Sequence, residues 1–150
     1  MVEAVRRILL VEDNPADEKL SLRALRRVNL AHQVDVVRDG QQAVDYLFAE
    51  GEFADRDVAN VPVVILLDMN LPRLSGLDVL KRVRSDPRTA LVPVVMLTSS
   101  DEERDRLSSY QGGANSFVRK PVVFEEFAET VGRLGVYWVL VNTQATTAHV

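Results

Sequence analysis

The stretch Val63-Val64-Ile65-Leu66-Leu67 is an uninterrupted run of β-branched and aliphatic residues that ends at Asp68. Such a run favours a β-strand, and because no polar residue alternates with the apolar ones, both faces of that strand must be covered. Strands of this kind lie in the interior of parallel sheets. Similar short runs recur along the chain and give five candidate strands, at 8–11, 34–37, 63–67, 92–97 and 116–118.

Segments with helical periodicity separate these strands. The first begins at Pro15 behind Asn14, a good N-cap, and the later ones have apolar stripes at helical spacing. Strand and helix alternate five times, which predicts an α/β fold with a doubly wound, five-stranded parallel sheet. The helix predicted at 101–111 has few apolar anchors, so we expect it to be the most mobile. The charged stretch 50–60 is expected to be a solvated surface loop.

Length and composition are those of one soluble globular domain. The 150 residues suit a single domain, 1–150, with a core at about 6–134 and an apolar extension and tail at 135–150. The formal net charge of -4 argues against nucleic acid as a partner, and the absence of cysteine excludes disulfides and thiolate metal sites. No apolar run is long enough to span a membrane and no signal peptide is recognisable, so we expect a cytoplasmic protein without a membrane partner.

Candidate functional residues follow the first, third, fourth and fifth apolar runs, at the places where the strands should end. They are Glu12 and Asp13, then Asp68, Thr98 and Lys120. In open α/β sheets the functional crevice lies beyond the carboxyl ends of the strands, so these side chains should meet there. Three carboxylates at one edge repel one another unless a cation neutralises them. Oxygen ligands without cysteine or histidine favour Mg²⁺, and we therefore predict a magnesium site at this edge.

This set of side chains suits phosphoryl transfer, in which catalysis is mostly positioning and charge neutralisation. Asp68 would be the phosphoacceptor that forms an acyl phosphate. Together with Asp68, Asp13 would bind the metal directly, and Glu12 would bind it directly or through water. Lys120 would pair with one phosphoryl oxygen, and the Thr98 hydroxyl would hydrogen-bond another.

Four spaced motifs carry a family resemblance that covers nearly the whole chain, from residue 6 to about 134. They read Leu-Val-Glu12-Asp13-Asn, Leu-Leu-Asp68-Met-Asn-Leu-Pro72-x-x-x-Gly76, Leu-Thr98-Ser and Phe117-Val-Arg-Lys120-Pro121. In this order and spacing they resemble the receiver domain of bacterial response regulators. The resemblance implies a phosphoacceptor signalling protein and not an enzyme in the usual sense, although it would assist its own phosphorylation and dephosphorylation.

The resemblance also implies a fold and further site residues. The fold would be the flavodoxin-like receiver fold with strand order 2-1-3-4-5. Asn70 would offer its backbone carbonyl to the metal. The Lys120-Pro121 peptide bond would be cis, and Pro121 and Gly76 would have structural roles.

A conformational switch is implied in the same way. Phe117 would be the aromatic residue that turns inward when Thr98 moves toward the phosphoryl group. Many members of the family have tyrosine at this position. The phenylalanine here cannot make the hydrogen bond that a tyrosine hydroxyl could make.

Finer features are similar to one branch of the family, the small regulators associated with bacterial and cyanobacterial phytochromes. These features are the stretch 68–73, which reads Asp-Met-Asn-Leu-Pro-Arg, the acidic loop 50–60, and the apolar C-terminal extension around Trp138. The resemblance implies a sensor histidine kinase, a bacteriophytochrome, as the phosphodonor. Only thirty residues follow Lys120, so we expect the signal to leave by docking to a downstream protein whose identity the sequence does not give.

Six apolar residues in a row, at 136–141, follow the last predicted helix. One helix face cannot bury all six against its own sheet, and aromatic residues are common in interface centres. We therefore expect a homodimer, with an interface that includes Val136, Tyr137, Trp138 and Leu140. The alternative is that Gly135 ends the helix and the run folds back over the domain.

Three other functions are compatible with parts of the pattern. An aspartyl-phosphate phosphohydrolase would need a general acid two residues after Asp68, where this chain has Asn70. A flavodoxin-like cofactor carrier would need a glycine- and hydroxyl-rich loop after the first strand, where this chain has acids. A degenerate receiver that works without phosphorylation would lack some of the chemical positions, and here all of them are filled.

Overall fold

The computed structural model describes residues 7–27, 30, 33–99 and 113–134, and strand and helix alternate along these residues from the first strand to the fourth. Every predicted strand is present within two residues of its predicted bounds. The strands are β1 (Ile8–Val11), β2 (Val34–Val37), β3 (Val64–Asp68), β4 (Val94–Thr98) and β5 (Ser116–Arg119). The helices are α1 (Pro15–Arg27), α2 (Gly40–Phe48), α3 (Gly76–Ser85) and α4 (Phe124–Leu134), and a short 3₁₀ helix, Gly51–Phe53, follows α2.

The five strands form one parallel sheet in the order β2-β1-β3-β4-β5. β1 lies between β2 and β3, with Ile8 opposite both Val34 and Val64. β1, β3 and β4 are buried at every residue, whereas β2 and β5 at the sheet edges are partly exposed. The strand order that the resemblance implied is therefore confirmed.

Alternate residues of the central strands contribute to two apolar clusters, one on each face of the sheet. Leu9 and Ile65 belong to the cluster that includes α2 and α3. Leu10 and Leu66 belong to the cluster that includes α1 and α4. Helices cover both faces of the sheet, which explains why polar and apolar residues do not alternate along these strands. The predicted doubly wound architecture is confirmed.

Side chains cap the starts of α2 and α3. Asp39 accepts a hydrogen bond from the Gln42 amide at 2.7 Å and caps α2, which ends at Ala49 in the left-handed conformation (φ 55°). Ser75 and Asp78 form a capping box at the start of α3. The caps fix both helix starts close to the carboxyl ends of the strands, where the sequence predicts the site.

The segment 50–60 is anchored to α2. Its acidic residues are exposed, as expected for a solvated loop. However, the Arg56 guanidinium lies over the Tyr46 ring at 3.7 Å and donates hydrogen bonds to the carbonyls of Tyr46 and Asn60. Phe53 packs edge-on against the same ring, with 5.4 Å between ring centroids. The segment is therefore a surface loop as expected, and in addition two of its side chains, Phe53 and Arg56, attach it to Tyr46 of α2.

Two of the sequence predictions concern residues outside the described ranges. They are the helix at 101–111 and the extension at 135–150, which contains Val136, Tyr137, Trp138 and Leu140. Within the ranges that are described, no helix is long and apolar enough to cross a membrane.

Gly76, the first residue of α3, has no room for a side chain. A Cβ atom there would lie 2.3 Å from the backbone oxygen of Asp68 and 2.8 Å from the Met69 Cα atom. Both are backbone atoms at the end of a central strand, so they cannot turn away as a flexible side chain would. Glycine at this position lets α3 begin directly against the residue predicted to be the phosphoacceptor.

We expect Gly76→Ala to lower the free energy of unfolding by about 1–3 kcal/mol, because the added methyl group forces the backbone apart. Urea denaturation followed by circular dichroism measures this change. Lys81→Ala, at an exposed position of the same helix, is the matched control and should change stability by less than about 0.5 kcal/mol. Equal unfolding midpoints for the two variants would contradict the close approach of Gly76 to the backbone of Asp68 and Met69.

Candidate functional site

The predicted site residues meet at the carboxyl ends of the central strands. The register places Val11 opposite Leu67, so Glu12 follows β1 at the same level at which Asp68 ends β3. Thr98 ends β4 opposite Arg119, the residue before Lys120. Parallel strands in register therefore bring these four residues, which are far apart in sequence, to one edge of the sheet.

Three carboxylates form a cluster at this edge. Glu12 and Asp68 are buried, with relative exposures of 0% and 3%, whereas Asp13 is exposed. One carboxylate oxygen from each of the three lies within 4.8 Å of the others. Glu12 Oε1 is buried and accepts no hydrogen bond from the described residues, and its 3.2 Å contact with Lys120 Nζ is an ion contact without hydrogen-bond geometry.

In the described part of the chain, the cation that faces this cluster is the Lys120 ammonium. Nζ lies 3.1 Å from Asp68 Oδ2, 3.3 Å from Glu12 Oε2 and 2.8 Å from Asp17 Oδ2. Burial opposes the charged ammonium. The hydrogen bond with Asp17 and the negative charges of Asp68 and Glu12 outweigh burial, and the pKa of Lys120 lies above its ordinary value.

Among the residues that the structure describes, negative charge exceeds positive charge in this site. Burial, a side-chain hydrogen bond with Asp68 and the charge of Asp68 raise the pKa of Glu12 to about 8, although Lys120 and the Asn14 amide act in the opposite direction. Glu12 therefore retains a proton more readily than an ordinary glutamate. The cluster can be neutralised by that proton or by a further cation.

Asn14 connects the cluster to α1. Its backbone N–H donates to Glu12 Oε2 at 3.2 Å. Its side-chain Oδ1 accepts hydrogen bonds from the amides of Ala16 at 2.9 Å and Asp17 at 3.0 Å, so the predicted N-cap is confirmed. The cap also brings Asp17 to the site. Sequence reasoning missed Asp17, and its only local signal is an acidic residue in the first turn of a helix that starts beside the cluster.

The loop after Asp68 is held by backbone hydrogen bonds. The Asn70 amide donates to Asp68 Oδ1 at 3.2 Å, and the Gly76 amide donates to the Met69 carbonyl at 2.9 Å. Asn70 therefore lies directly beside the carboxylate, where the resemblance places a metal ligand. The role of its carbonyl stays a prediction.

Thr98 ends β4, Phe117 lies on β5 and Pro121 follows β5 by two residues. Thr98 is buried, and its carbonyl accepts a hydrogen bond from the Lys120 amide at 2.7 Å. Phe117 is half-buried and packs against the cluster that includes α2 and α3. The Lys120-Pro121 peptide bond is cis, as expected.

A second contact region, between α2 and the loop 69–75, was not predicted. Arg73 adopts a left-handed conformation (φ 69°), and its guanidinium donates to both carboxylate oxygens of Asp39, at 2.9 and 3.0 Å. A Cβ atom on Gly40 would lie 2.1 Å from the Leu74 carbonyl oxygen, so only glycine fits there. These contacts hold the loop that follows Asp68 against the start of α2.

The residues present fit a divalent cation of the kind that prefers oxygen. The cluster offers carboxylate oxygens and no histidine or cysteine. One of the buried oxygens, Glu12 Oε1, accepts no hydrogen bond from any residue that the structure describes, and the acids outnumber the lysine that faces them. A metal ion bound here would therefore reduce the repulsion among the three carboxylates.

The chain is similar to a known family along most of its length. A family model described as the response regulator receiver domain matches residues 8–132. The structure of the bacteriophytochrome response regulator RtBRR is 51% identical, with a TM-score of 0.83, and the match covers 87% of this chain and 78% of that one. The structure of the phosphorylated cyanobacterial phytochrome response regulator RcpA is 38% identical, with a TM-score of 0.72, and covers 91% of this chain and 95% of that one.

Response regulator Rcp1 from Synechocystis sp. is similar in both sequence and structure. Its sequence is 33% identical over 132 residues, which is 88% of each chain. The structure of its Mn²⁺-bound form is 34% identical, with a TM-score of 0.69, and covers 85% of this chain and 90% of that one. A relative thus binds a divalent metal, and this chain has an acidic cluster able to hold one.

We expect Asp13→Ala to weaken divalent-metal binding about tenfold or more, and Glu12→Ala to weaken it less. The reason is that Glu12 already pairs with Lys120, whereas Asp13 is exposed at the rim of the cluster. Calorimetric titration with MgCl₂ and with MnCl₂ measures the affinities. Asp55→Ala, which removes the same charge from an exposed position of the segment 50–60, is the control. Wild-type affinity in Asp13→Ala would refute the assignment of Asp13 as a ligand.

Proposed function

The chain belongs to the response regulator receiver domains, signalling proteins that histidine kinases phosphorylate, and from that premise we propose that Asp68 is its phosphoacceptor. One observation supports this assignment most directly. Asp68 is the buried carboxylate that ends a central strand, and the Lys120 ammonium reaches it at 3.1 Å. The protein would be a phosphorylation switch whose state decides which partner docks.

In the proposed reaction the Asp68 carboxylate attacks the phosphorus of a kinase phosphohistidine. The new P–O bond forms as the P–N bond breaks, and the electron pair of that bond returns to the imidazole nitrogen. The Asn70 amide holds Asp68 Oδ1, which leaves Oδ2, beside Lys120, as the attacking oxygen. Lys120 then pairs with a phosphoryl oxygen, and the Thr98 hydroxyl donates to another.

Glu12, Asp13, Asp68 and the backbone carbonyl of Asn70 would hold Mg²⁺ in this protein. The ion supplies positive charge against the phosphoryl oxygens. Mg²⁺ is proposed because all four donors are oxygens and because the two buried acids are already close together. The protein's own contribution is to fix these donors at or next to the ends of strands. The oxygen ligands then need to move little when the phosphoryl group adds negative charge.

The switch would act through β4 and β5. Thr98 ends β4, and Phe117 lies on β5 opposite Met96, two residues before the level of Thr98. Because Phe117 is only half-buried, a turn further inward when Thr98 moves would remove exposed ring surface from water. That movement would change the surface offered to a downstream protein, and the identity of that protein stays open.

A bacteriophytochrome is the sensor kinase that we propose as phosphodonor. The support is the similarity to RtBRR, at 51% identity, together with the similarity to RcpA and Rcp1. We propose a cytoplasmic location, because a kinase needs ATP to form its phosphohistidine. Phosphotransfer from purified candidate kinases would test the pairing, and the cognate kinase should transfer label fastest.

We expect Asp68→Asn to abolish phosphorylation while the fold is kept. The substitution preserves size and removes the attacking carboxylate, and relief of the repulsion among the three carboxylates should keep the metal-free protein folded. Mass spectrometry after incubation with acetyl phosphate and Mg²⁺ detects the acyl phosphate. Asp55→Asn, the same chemical change on the exposed segment 50–60, should be phosphorylated like the wild type. Undiminished phosphate incorporation in Asp68→Asn would show that another residue is the acceptor.

Assembly as a homodimer through residues 136–141 is also part of the proposal. Its support is the sequence of that run, with six successive apolar residues including Tyr137 and Trp138. We expect Trp138→Glu to give a folded monomer, because it places a charge in the proposed interface. Light scattering coupled to size-exclusion chromatography at tens of micromolar measures the mass. A wild-type protein that is monomeric with and without phosphorylation would overturn this part.

A further inference from the structure

The carboxylate nearest to the Lys120 ammonium is not the proposed phosphoacceptor. Among the described residues, Asp17 Oδ2 approaches Nζ to 2.8 Å, whereas Asp68 Oδ2 is at 3.1 Å and the Glu12 oxygens are at 3.2 and 3.3 Å. Asp17 belongs to none of the four motifs that pointed to the site. The four motifs therefore do not explain its contact with Lys120.

The backbone of Asp17 is fixed rather than free to move away. Its amide donates to the Asn14 side chain at 3.0 Å, and the Asn14 amide donates to Glu12 at 3.2 Å. Behind this cap, α1 is held by the buried residues Ala24 and Leu25. The Asp17 side chain keeps 26% of its exposure, so it stands at the solvent rim of the site while its main chain is anchored.

The donors of Lys120 are fully occupied in this arrangement. An ammonium has three N–H groups, and Nζ faces three carboxylates, those of Asp17, Asp68 and Glu12. A phosphoryl oxygen that is to pair with Lys120 must therefore replace one of these acceptors. Glu12 is buried, and Asp68 is itself the group that reacts. The contact with Asp17 is the one that can be released at least cost, because water can reach the freed carboxylate at the rim.

We propose that Asp17 is a positioning residue that competes with the phosphoryl group for Lys120 and so limits phosphorylation of Asp68. The proposal rests on the function proposed above for Asp68. Asp17 also places a negative charge at the rim that an anionic phosphodonor must pass. Both effects oppose the phosphorylated state, so removing the charge should favour it.

Acetyl phosphate provides the test without any kinase. In this reaction the bond between phosphorus and the acetyl oxygen breaks, acetate leaves with the electron pair, and a P–O bond to the Asp68 carboxylate forms. With Mg²⁺ present, we expect Asp17→Asn to lower the acetyl phosphate concentration that gives half-maximal rate by roughly three- to fivefold, the size expected for a partly exposed ion pair. Beryllofluoride, which binds without turnover, should bind more tightly by a similar factor.

Glu18→Gln is the matched control. Glu18 lies in the same first turn of α1 and pairs with Arg38 at 3.1 Å. Glu18→Gln therefore removes the same charge from the same end of the helix without changing a partner of Lys120. A general effect of charge or of helix stability would change both variants alike. Asp17→Glu keeps the charge and should stay close to the wild type in both measurements.

The outcomes separate the two proposals. If wild type is phosphorylated and Asp17→Asn equals Glu18→Gln, or is slower, Asp17 does not compete for Lys120 and only this inference fails. If wild type takes up no phosphoryl group at all, the function proposed for Asp68 fails and this inference fails with it. A gain in beryllofluoride affinity confined to Asp17→Asn, with thermal unfolding midpoints equal to those of Glu18→Gln, is the expected result.

Discussion

One ammonium buried against several carboxylates is the interaction on which the rest of the site depends. Lys120 faces Glu12, Asp17 and Asp68, and two of these acids are almost completely buried. Taking such charges out of water costs several kcal/mol per ion, so buried ion pairs of this kind add little net stability. The two apolar clusters on the faces of the sheet are what stabilise the fold. The charged cluster is thus better explained by the chemistry that it makes possible than by the stability that it adds.

The precision of the site comes from the sheet. Parallel registers place Val11 opposite Leu67 and Asp68 opposite Leu97, so residues far apart in sequence arrive at one edge with the accuracy of backbone hydrogen bonds. Gly76 lets α3 start against the backbone of Asp68. Gly40 lets α2 start against the backbone of Leu74, in the loop that follows Asp68. Because the side chains project from strand ends and capped helix starts, their positions do not depend on long flexible loops.

The features that could be predicted from the sequence are those with a local signal along the chain. Apolar runs, the Asn14 cap and the residues after each run are read directly along the chain, and they gave the strands, the fold class and the acidic cluster. Asp17 was missed because an acid in the first turn of a helix is ordinarily explained by the helix dipole. The contacts of Gly40 with Leu74 and of Arg56 with Tyr46 were missed because they depend on how elements pack together, which no local pattern encodes.

Burial divides the site into parts that stay in place and parts that can move. Glu12 and Asp68 each accept a hydrogen bond from a backbone amide, of Asn14 and Asn70, and breaking those contacts would leave a buried carboxyl oxygen without that partner. Contacts at the rim exchange with water at far lower cost. In the proposed switch, a change of charge at Asp68 would therefore be transmitted through side chains that are free to respond. Those side chains are the outer partner of Lys120 on α1 and the half-buried aromatic ring on β5. In the proposed switch, the reactive centre would stay rigid while the Asp17 side chain on α1 and the Phe117 ring on β5 respond to the charge at Asp68.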